Sequence, residues 1–147
     1  MRIMAIDYGD ARTGVAVSDE SATLAGEAWV IRENTMQAAA CKIAAEAFSR
    51  KISTVVVGYP KNMNGTVGPR AEKSERLVEL IKAQQVISSP PQGGFEVVLW
   101  DERMTTMSAN RILTDAGKHG KKRKDNVDAV AASLILESYL RSLERVV

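Results

Sequence analysis

Cysteine and histidine are nearly absent from this chain of 147 residues, which holds one of each, Cys41 and His119. A single cysteine excludes an internal disulfide and fits a reducing cytoplasm. Cys41 falls in an Ala-rich helical pattern, which predicts a small core residue. Without a pair of Cys or His side chains, a zinc site lacks its usual ligands. There is no run of ~18 apolar residues, so no transmembrane helix is expected and no membrane partner. The first residues lack an h-region and a small-residue cleavage site, so the N-terminus reads as a strand rather than a signal peptide. No internal repeat and no domain boundary is visible, and residues 1–147 read as one domain with a proper core. Excess charge is also scarce, at +2 overall. It is unevenly spread: Lys118, Lys121, Lys122, Arg123 and Lys124 supply five of the twenty Lys and Arg residues. One basic loop on a slightly acidic body points to a polyanion touched at one place.

What is present is organised around the opening stretch. Arg2 to Asp7 reads as a strand with Ile3, Ala5 and Asp7 on one face and Met4 and Ile6 on the other. Both faces are apolar, as in a central strand covered on both sides. Tyr8 to Gly14 reads as a turn and Val15 to Ser18 as the return strand. Leu24 to Ile31 forms a third strand carrying Trp29. Asn34 or Thr35 then caps a helix whose apolar stripe is Met36, Ala39, Ala40, Ile43 and Ala47. Ser53 to Gly58 is a buried fourth strand, followed by a Pro-, Asn- and Gly-rich loop to Val67. Gly68-Pro69 starts a second helix, with Pro69 suited to the first helical position. Ser88 to Gly94 is a linker of turn-formers, and Phe95 to Trp100 a fifth strand. Thr105 or Thr106 caps a third helix ending at Gly117. The basic loop follows, and Asp125 or Asn126 caps a last helix to about Leu143. This order argues for a mixed α/β sheet layered with helices, its first three strands an antiparallel meander and the last two joined in parallel.

Three carboxylates stand out. Asp7 ends the first strand and Glu102 follows the fifth. Asp128 shares the angular position of Ala131, Ala132, Ile135 and Tyr139 on the last helix, which is the sheet-facing stripe. An acidic residue on a buried stripe breaks binary patterning, and such breaks tend to be functional. The carboxyl ends of strands in an α/β sheet converge on one edge, where ligands bind. Three carboxylates meeting there repel one another unless a cation joins them. Oxygen-only ligation selects Mg²⁺ or Mn²⁺. A carboxylate-held metal beside a basic loop suits phosphodiester hydrolysis.

The segments MRIMAIDYGDARTGVAVSDE, VVVGYPKNMNGTVGPRAEK, VVLWDERMTT and KKRKDNVDAVAASLILESYL resemble, in order, the four signature blocks of the RuvX/YqgF family. That family consists of RuvC-like nucleases. The resemblance implies an RNase H-like fold, a five-stranded sheet of order 3-2-1-4-5, and catalytic carboxylates at Asp7, Glu102 and Asp128 holding two Mg²⁺ or Mn²⁺ ions. RuvC resolvases place a further acidic residue at the end of strand four, where this chain has Gly58. Asp101 is a neighbouring carboxylate that supports the site or replaces Glu102 as ligand. Arg12, Asn62, Asn64, Arg70 and Arg103, with the basic run Lys118, Lys121, Lys122, Arg123 and Lys124, are candidate nucleic-acid contacts; Arg103 alternatively steadies Asp101. Members of the family carry two descriptions, Holliday junction resolvase and nuclease maturing the 5′ end of pre-16S ribosomal RNA. The RNA role is preferred here, with branched DNA as the other partner and either a monomer or a homodimer as the acting species. Two readings from other classes stand beside these. Asp-x-Gly-x-x-x-x-Gly after a first strand also opens the actin-like ATPase fold, which needs two such domains. A non-catalytic RNA-binding assembly factor would bind structured RNA without cleaving it.

Overall fold

The computed structural model describes residues 1–23, 25–88, 94–104 and 120–144. Five strands run over Arg2–Asp7 (β1), Arg12–Ser18 (β2), Ala25–Arg32 (β3), Ile52–Tyr59 (β4) and Glu96–Asp101 (β5). They form one sheet in the order β3-β2-β1-β4-β5. The first three pair antiparallel, and β4 lies parallel to both β1 and β5. Helices occupy Met36–Ser49 (α1), Pro69–Ser88 (α2) and Gly120–Glu144 (α3). This is the RNase H-like arrangement expected from the motifs.

Local chemistry accounts for most element ends. Thr35 caps α1, its hydroxyl accepting from the Ala38 N–H at 3.2 Å, so the helix begins where its first orphan donors are met. Pro69 opens α2, where its missing N–H costs nothing. Two boundaries and one burial differ from the sequence reading. β2 begins at Arg12 rather than Val15, because Gly14 pairs with Asp7 across the ladder and draws the turn residues into it. The basic segment is not a loop throughout: α3 starts at Gly120 and takes residues 120–124 into its first turns, so neither Asp125 nor Asn126 caps it. Lys and Arg are good helix formers and nothing after Gly120 breaks the pattern. Cys41 is exposed, not a core residue. α1 buries Ala39, Ala40, Ile43, Ala44 and Ala47, and one residue beyond Ala40 is a rotation of about 100°, which carries Cys41 off that stripe. The expected helix over 105–117, Lys118, His119 and most of the 88–94 linker lie outside the described residues.

Strand alternation divides the core in two. On one face Met4, Ile6, Val15, Val17, Val55, Val57 and Val97 pack against Ile43 of α1 and Leu77 and Ile81 of α2. On the other, Ile3, Ala5, Ala16 and Val56 pack against Ala132, Ile135, Leu136 and Leu140 of α3. Each fully buried Ile or Leu contributes roughly 1.5–3 kcal/mol of burial. Trp100 ties β5 to α3, donating its indole N–H to Ser138 Oγ at 2.9 Å and standing edge-on to Tyr139.

Candidate active site

The same alternation that builds the α3 face carries past the core to its end. Ile3 and Ala5 face α3, so Asp7 does. Val98 and Trp100 face α3, and Glu102, at the start of a 3₁₀ turn over Glu102–Met104, continues that parity. Two carboxyl groups therefore emerge on one side of the sheet at the carboxyl ends of β1 and β5, with β4 between them. They reach each other across Gly58 at the end of β4. A Cβ at position 58 would stand 2.6 Å from Ile135 Cδ1 and 2.9 Å from the Glu102 carboxyl carbon. The missing side chain leaves the space that Glu102 fills.

Asp128 comes from α3. Gly14 pairs with Asp7 in the β1–β2 ladder, and a Cβ on Gly14 would overlap the Asp128 carbonyl oxygen. The helix backbone at Asp128 thus rests directly on the strand beside Asp7. Asp128 heads the stripe that continues through Ala132, Ile135 and Leu136, all buried.

Electrostatics follow from this crowding. The Asp7 and Glu102 side chains share a hydrogen bond. Desolvation first, then the charges of Glu102 and Asp128, push the Asp7 carboxyl up from 3.8 to about 8. Glu102 is also raised, chiefly by burial. The hydrogen bond raises Asp7 and lowers Glu102, so Asp7 carries the shared proton and Glu102 accepts it. Arg70, in the first turn of α2, opposes both shifts through its charge.

Each of the other sequence candidates has a definite place. Asp101 faces away from Asp7 and is gripped by Arg103. The Arg103 backbone N–H and Nε donate to Asp101 Oδ1 at 3.0 and 3.1 Å, and Nη2 donates to Oδ2 at 2.6 Å. This holds the Asp101 carboxyl below its ordinary value. Arg12 pairs with Asp128, Nε to Oδ2 at 3.1 Å. Asn62 and Asn64 fold their own loop: Asn62 Nδ2 donates to Thr66 Oγ1, and Asn64 Oδ1 accepts from both the N–H and the hydroxyl of Thr66. Both residues are exposed, and these side-chain atoms are engaged within the loop. Nothing is described of the side chains of Lys121, Lys122, Arg123 and Lys124, whose backbone opens α3. Among the described residues, no three Asp, Glu, His or Cys side chains are gathered closely enough to hold a metal ion. Asp7 and Glu102 meet, while Asp128 is held beside them by Arg12.

The sequence reading missed a cleft of about 190 Å³ next to this pair, lined by Tyr8, Asp10, Pro60, Arg70, Lys73 and Glu102 among others. Lys73 Nζ bridges both oxygens of Asp10 at 2.9 Å. Its signal was present: Lys73 lies three residues after Arg70, on the same face of α2.

The chain resembles known proteins over nearly its whole length. Residues 1–142 match the family model described as RuvX: Holliday junction resolvase. Relatives named "Putative pre-16S rRNA nuclease" include one from Geobacillus sp., 43% identical over 97% of this chain and 99% of that protein. One from Ruminiclostridium cellulolyticum is 38% identical over 95% of this chain and 94% of its own. Among solved structures, the yeast mitochondrial Holliday junction resolvase Ydc2 superposes with a TM-score of 0.57 at 8% identity, covering 98% of this chain and 80% of that one. Thermus thermophilus RuvC bound to a Holliday junction superposes with a TM-score of 0.55 at 13% identity, covering 97% and 96%. At such identities these two show the fold. The family match and the full-length relatives carry more, and by them the chain belongs to the RuvX family.

Proposed function

We propose that this protein is a divalent-metal-dependent endonuclease that hydrolyses phosphodiester bonds, acting in the cytoplasm as one domain on the 5′ end of precursor 16S ribosomal RNA. The observation that carries the reading is the meeting of Asp7 and Glu102 across Gly58. Two carboxyls crowded against each other, with a third close by, form a site whose negative charge Arg70 and Arg12 offset only in part. An all-oxygen donor set of this kind fits Mg²⁺ or Mn²⁺. Asp7, Glu102 and Asp128 would hold the metal. Such ions supply an activated water and neutralise the leaving oxygen.

The chain's own residues do the rest. Arg70 and Lys73 line the adjoining cleft and would take phosphates flanking the scissile one. Arg103, by gripping Asp101, keeps that carboxylate turned from Asp7 and steadies the turn that aims Glu102. Lys121, Lys122, Arg123 and Lys124, in the basic start of α3, would contact the backbone of the nucleic acid, where contacts carry no base information.

The choice of RNA rests on the names of relatives about 40% identical. The family description favours a second reading, a Holliday junction resolvase. Both are tested by incubating wild type and Asp7→Asn with a precursor 16S RNA and with a four-way DNA junction in Mg²⁺. Cleavage of the RNA that falls by about 10³-fold or more in Asp7→Asn, with an unchanged circular dichroism spectrum, is the expected result. Cleavage of the junction alone transfers the assignment to recombination. Binding of RNA with no cleavage by either protein would replace the enzyme with an assembly factor.

A further inference from the structure

Arg12 reaches across from the start of β2 to a residue 116 positions away and takes hold of Asp128. Both side chains are largely withdrawn from solvent, at 31% and 20% exposure. The contact is built by the fold. Arg12 and Gly14 lie two residues apart on the same face of β2, and Gly14 is the point at which the strand meets the α3 backbone at Asp128. That same Gly14 is the ladder partner of Asp7. Asp128 therefore stands next to Asp7 by backbone placement, near enough for its charge to raise the Asp7 carboxyl. Yet its Oδ2 is engaged by the guanidinium, and the three carboxylates do not form a metal-holding group.

We propose that Arg12 is a placeholder cation: it neutralises Asp128 until a divalent ion arrives, then yields Asp128 to the ion and turns to a phosphate of the nucleic acid. This rests on the metal-nuclease reading above and adds an exchange step to it. The charge count favours the exchange. With the ion absent, a carboxylate beside two others needs a positive partner, and Arg12 is one within the fold. With the ion bound, keeping Arg12 there would set a fixed cation against the metal. A released guanidinium beside the scissile bond is suited to a phosphate, which it can hold with two N–H groups. Metal and nucleic acid then favour each other's binding, because each stabilises the state in which Arg12 has left Asp128.

The test is Mn²⁺ titration by isothermal calorimetry at one pH, without nucleic acid, on wild type, Arg12→Gln, Asp128→Asn and the double variant. If Arg12 competes with the ion, Arg12→Gln binds Mn²⁺ about fivefold tighter, the scale of one partly exposed charged hydrogen bond. In the Asp128→Asn background the same replacement changes affinity by less than about twofold, since the contested ligand is gone. Arg12→Lys keeps the charge and solubility but loses the Nε contact. It should move affinity in the same direction by a smaller factor, and it serves where Arg12→Gln does not fold. Weaker Mn²⁺ binding by either Arg12 variant would mean that Arg12 orients Asp128 for the ion, and would overturn the exchange. So would a tightening that persists undiminished without Asp128, which reports only the field of the guanidinium. Absence of Mn²⁺ binding in the wild type would remove the metal-nuclease reading itself, and the exchange with it.

Discussion

The face of the sheet under α1 and α2 and the face under α3 come from the same five strands yet differ in what fills them. Under α1 and α2 the strands present Met4, Ile6, Val15, Val17, Val55 and Val57, all with larger side chains than alanine. Under α3, Ile3 and Val56 are interspersed with Ala5, Gly14, Ala16 and Gly58, and α3 sets Ala132 beside Ile135, Leu136 and Leu140. Small residues let the helix backbone approach the sheet so closely that Gly14 touches the carbonyl of Asp128. The first face is built to be stable. The second is built thin, so that side chains continuing its stripes beyond the core, Asp7, Glu102 and Asp128, end within reach of one another. Closeness, not an unusual residue type, makes these carboxyls special.

The largest expected effect breaks the two faces separately. Ile43→Ala, on the first face, should cost about 2–5 kcal/mol of stability in urea unfolding and leave Mn²⁺ affinity within about twofold at low temperature. Gly14→Ala, on the second, adds one methyl where backbone already sits. It should cost about 3 kcal/mol and also weaken Mn²⁺ binding, because Asp128 moves with the helix. If Gly14→Ala melts like the wild type, the close approach of α3 is not a constraint and the contrast fails.

Gly58→Ala should have a smaller effect on stability, about 1 kcal/mol, since the groups it meets are the ends of the Ile135 and Glu102 side chains rather than backbone. Its effect on Mn²⁺ affinity should be disproportionate, as the new methyl takes the space of the Glu102 carboxyl. Calorimetry that finds normal Mn²⁺ affinity would show that Glu102 is not held there for the metal.

The pH dependence sharpens the comparison next. Asp7 has its carboxyl raised to about 8 in the folded protein from an ordinary 3.8. Its favourable contribution to the metal-free fold is complete below the ordinary value and is lost as pH rises through the window from about 4 to about 8. Metal-free protein should therefore melt several degrees lower at pH 8 than at pH 5, a shift of about 5 °C being easily read by circular dichroism. Mn²⁺ should reverse the trend, because it displaces the shared proton and binds better as pH rises. Glu102→Gln removes the nearest charge acting on Asp7 and should flatten the metal-free slope. An equally steep slope in Glu102→Gln would deny that the pair is coupled.

Arg103→Ala should show the smallest change, below about 1 kcal/mol, because its fork on Asp101 lies at the surface and is screened. Asp101 should then titrate nearer the ordinary carboxylate range, which nuclear magnetic resonance of its side-chain carbonyl can follow.

Much of the architecture was legible in the residues. Period-two alternation in Arg2–Asp7 and the β-branched run Ser53–Gly58 identified central strands, because a strand buried on both faces leaves no room for polar side chains. Pro69 and Thr35 marked helix starts through local backbone chemistry. Asp128 on an apolar stripe pointed to the site, since a charge placed there needs a reason. The basic run was harder. Its composition reads equally as a solvated loop or a helix start, and the two differ only in how the backbone is continued. Cys41 misled for a related reason: Ala38, Ala39, Ala40, Ala44 and Ala45 lie around it, so periodicity draws no sharp edge to the buried stripe.

The sequence by itself determined the five strands, the helices α1 and α2, most of their buried faces and which carboxylates stand at the strand ends, because those properties follow from periodicity and local backbone preference. Only the tertiary structure decided how those ends meet. The grip of Arg103 on Asp101 and the loop held by Asn62 and Asn64 are local contacts, whereas the meeting of Asp7 and Glu102 across Gly58 and the hold of Arg12 on Asp128 depend on distances between segments far apart in the chain. Such distances are set by how closely a helix can lie on a sheet, and here that is set by the absence of side chains at Gly14 and Gly58.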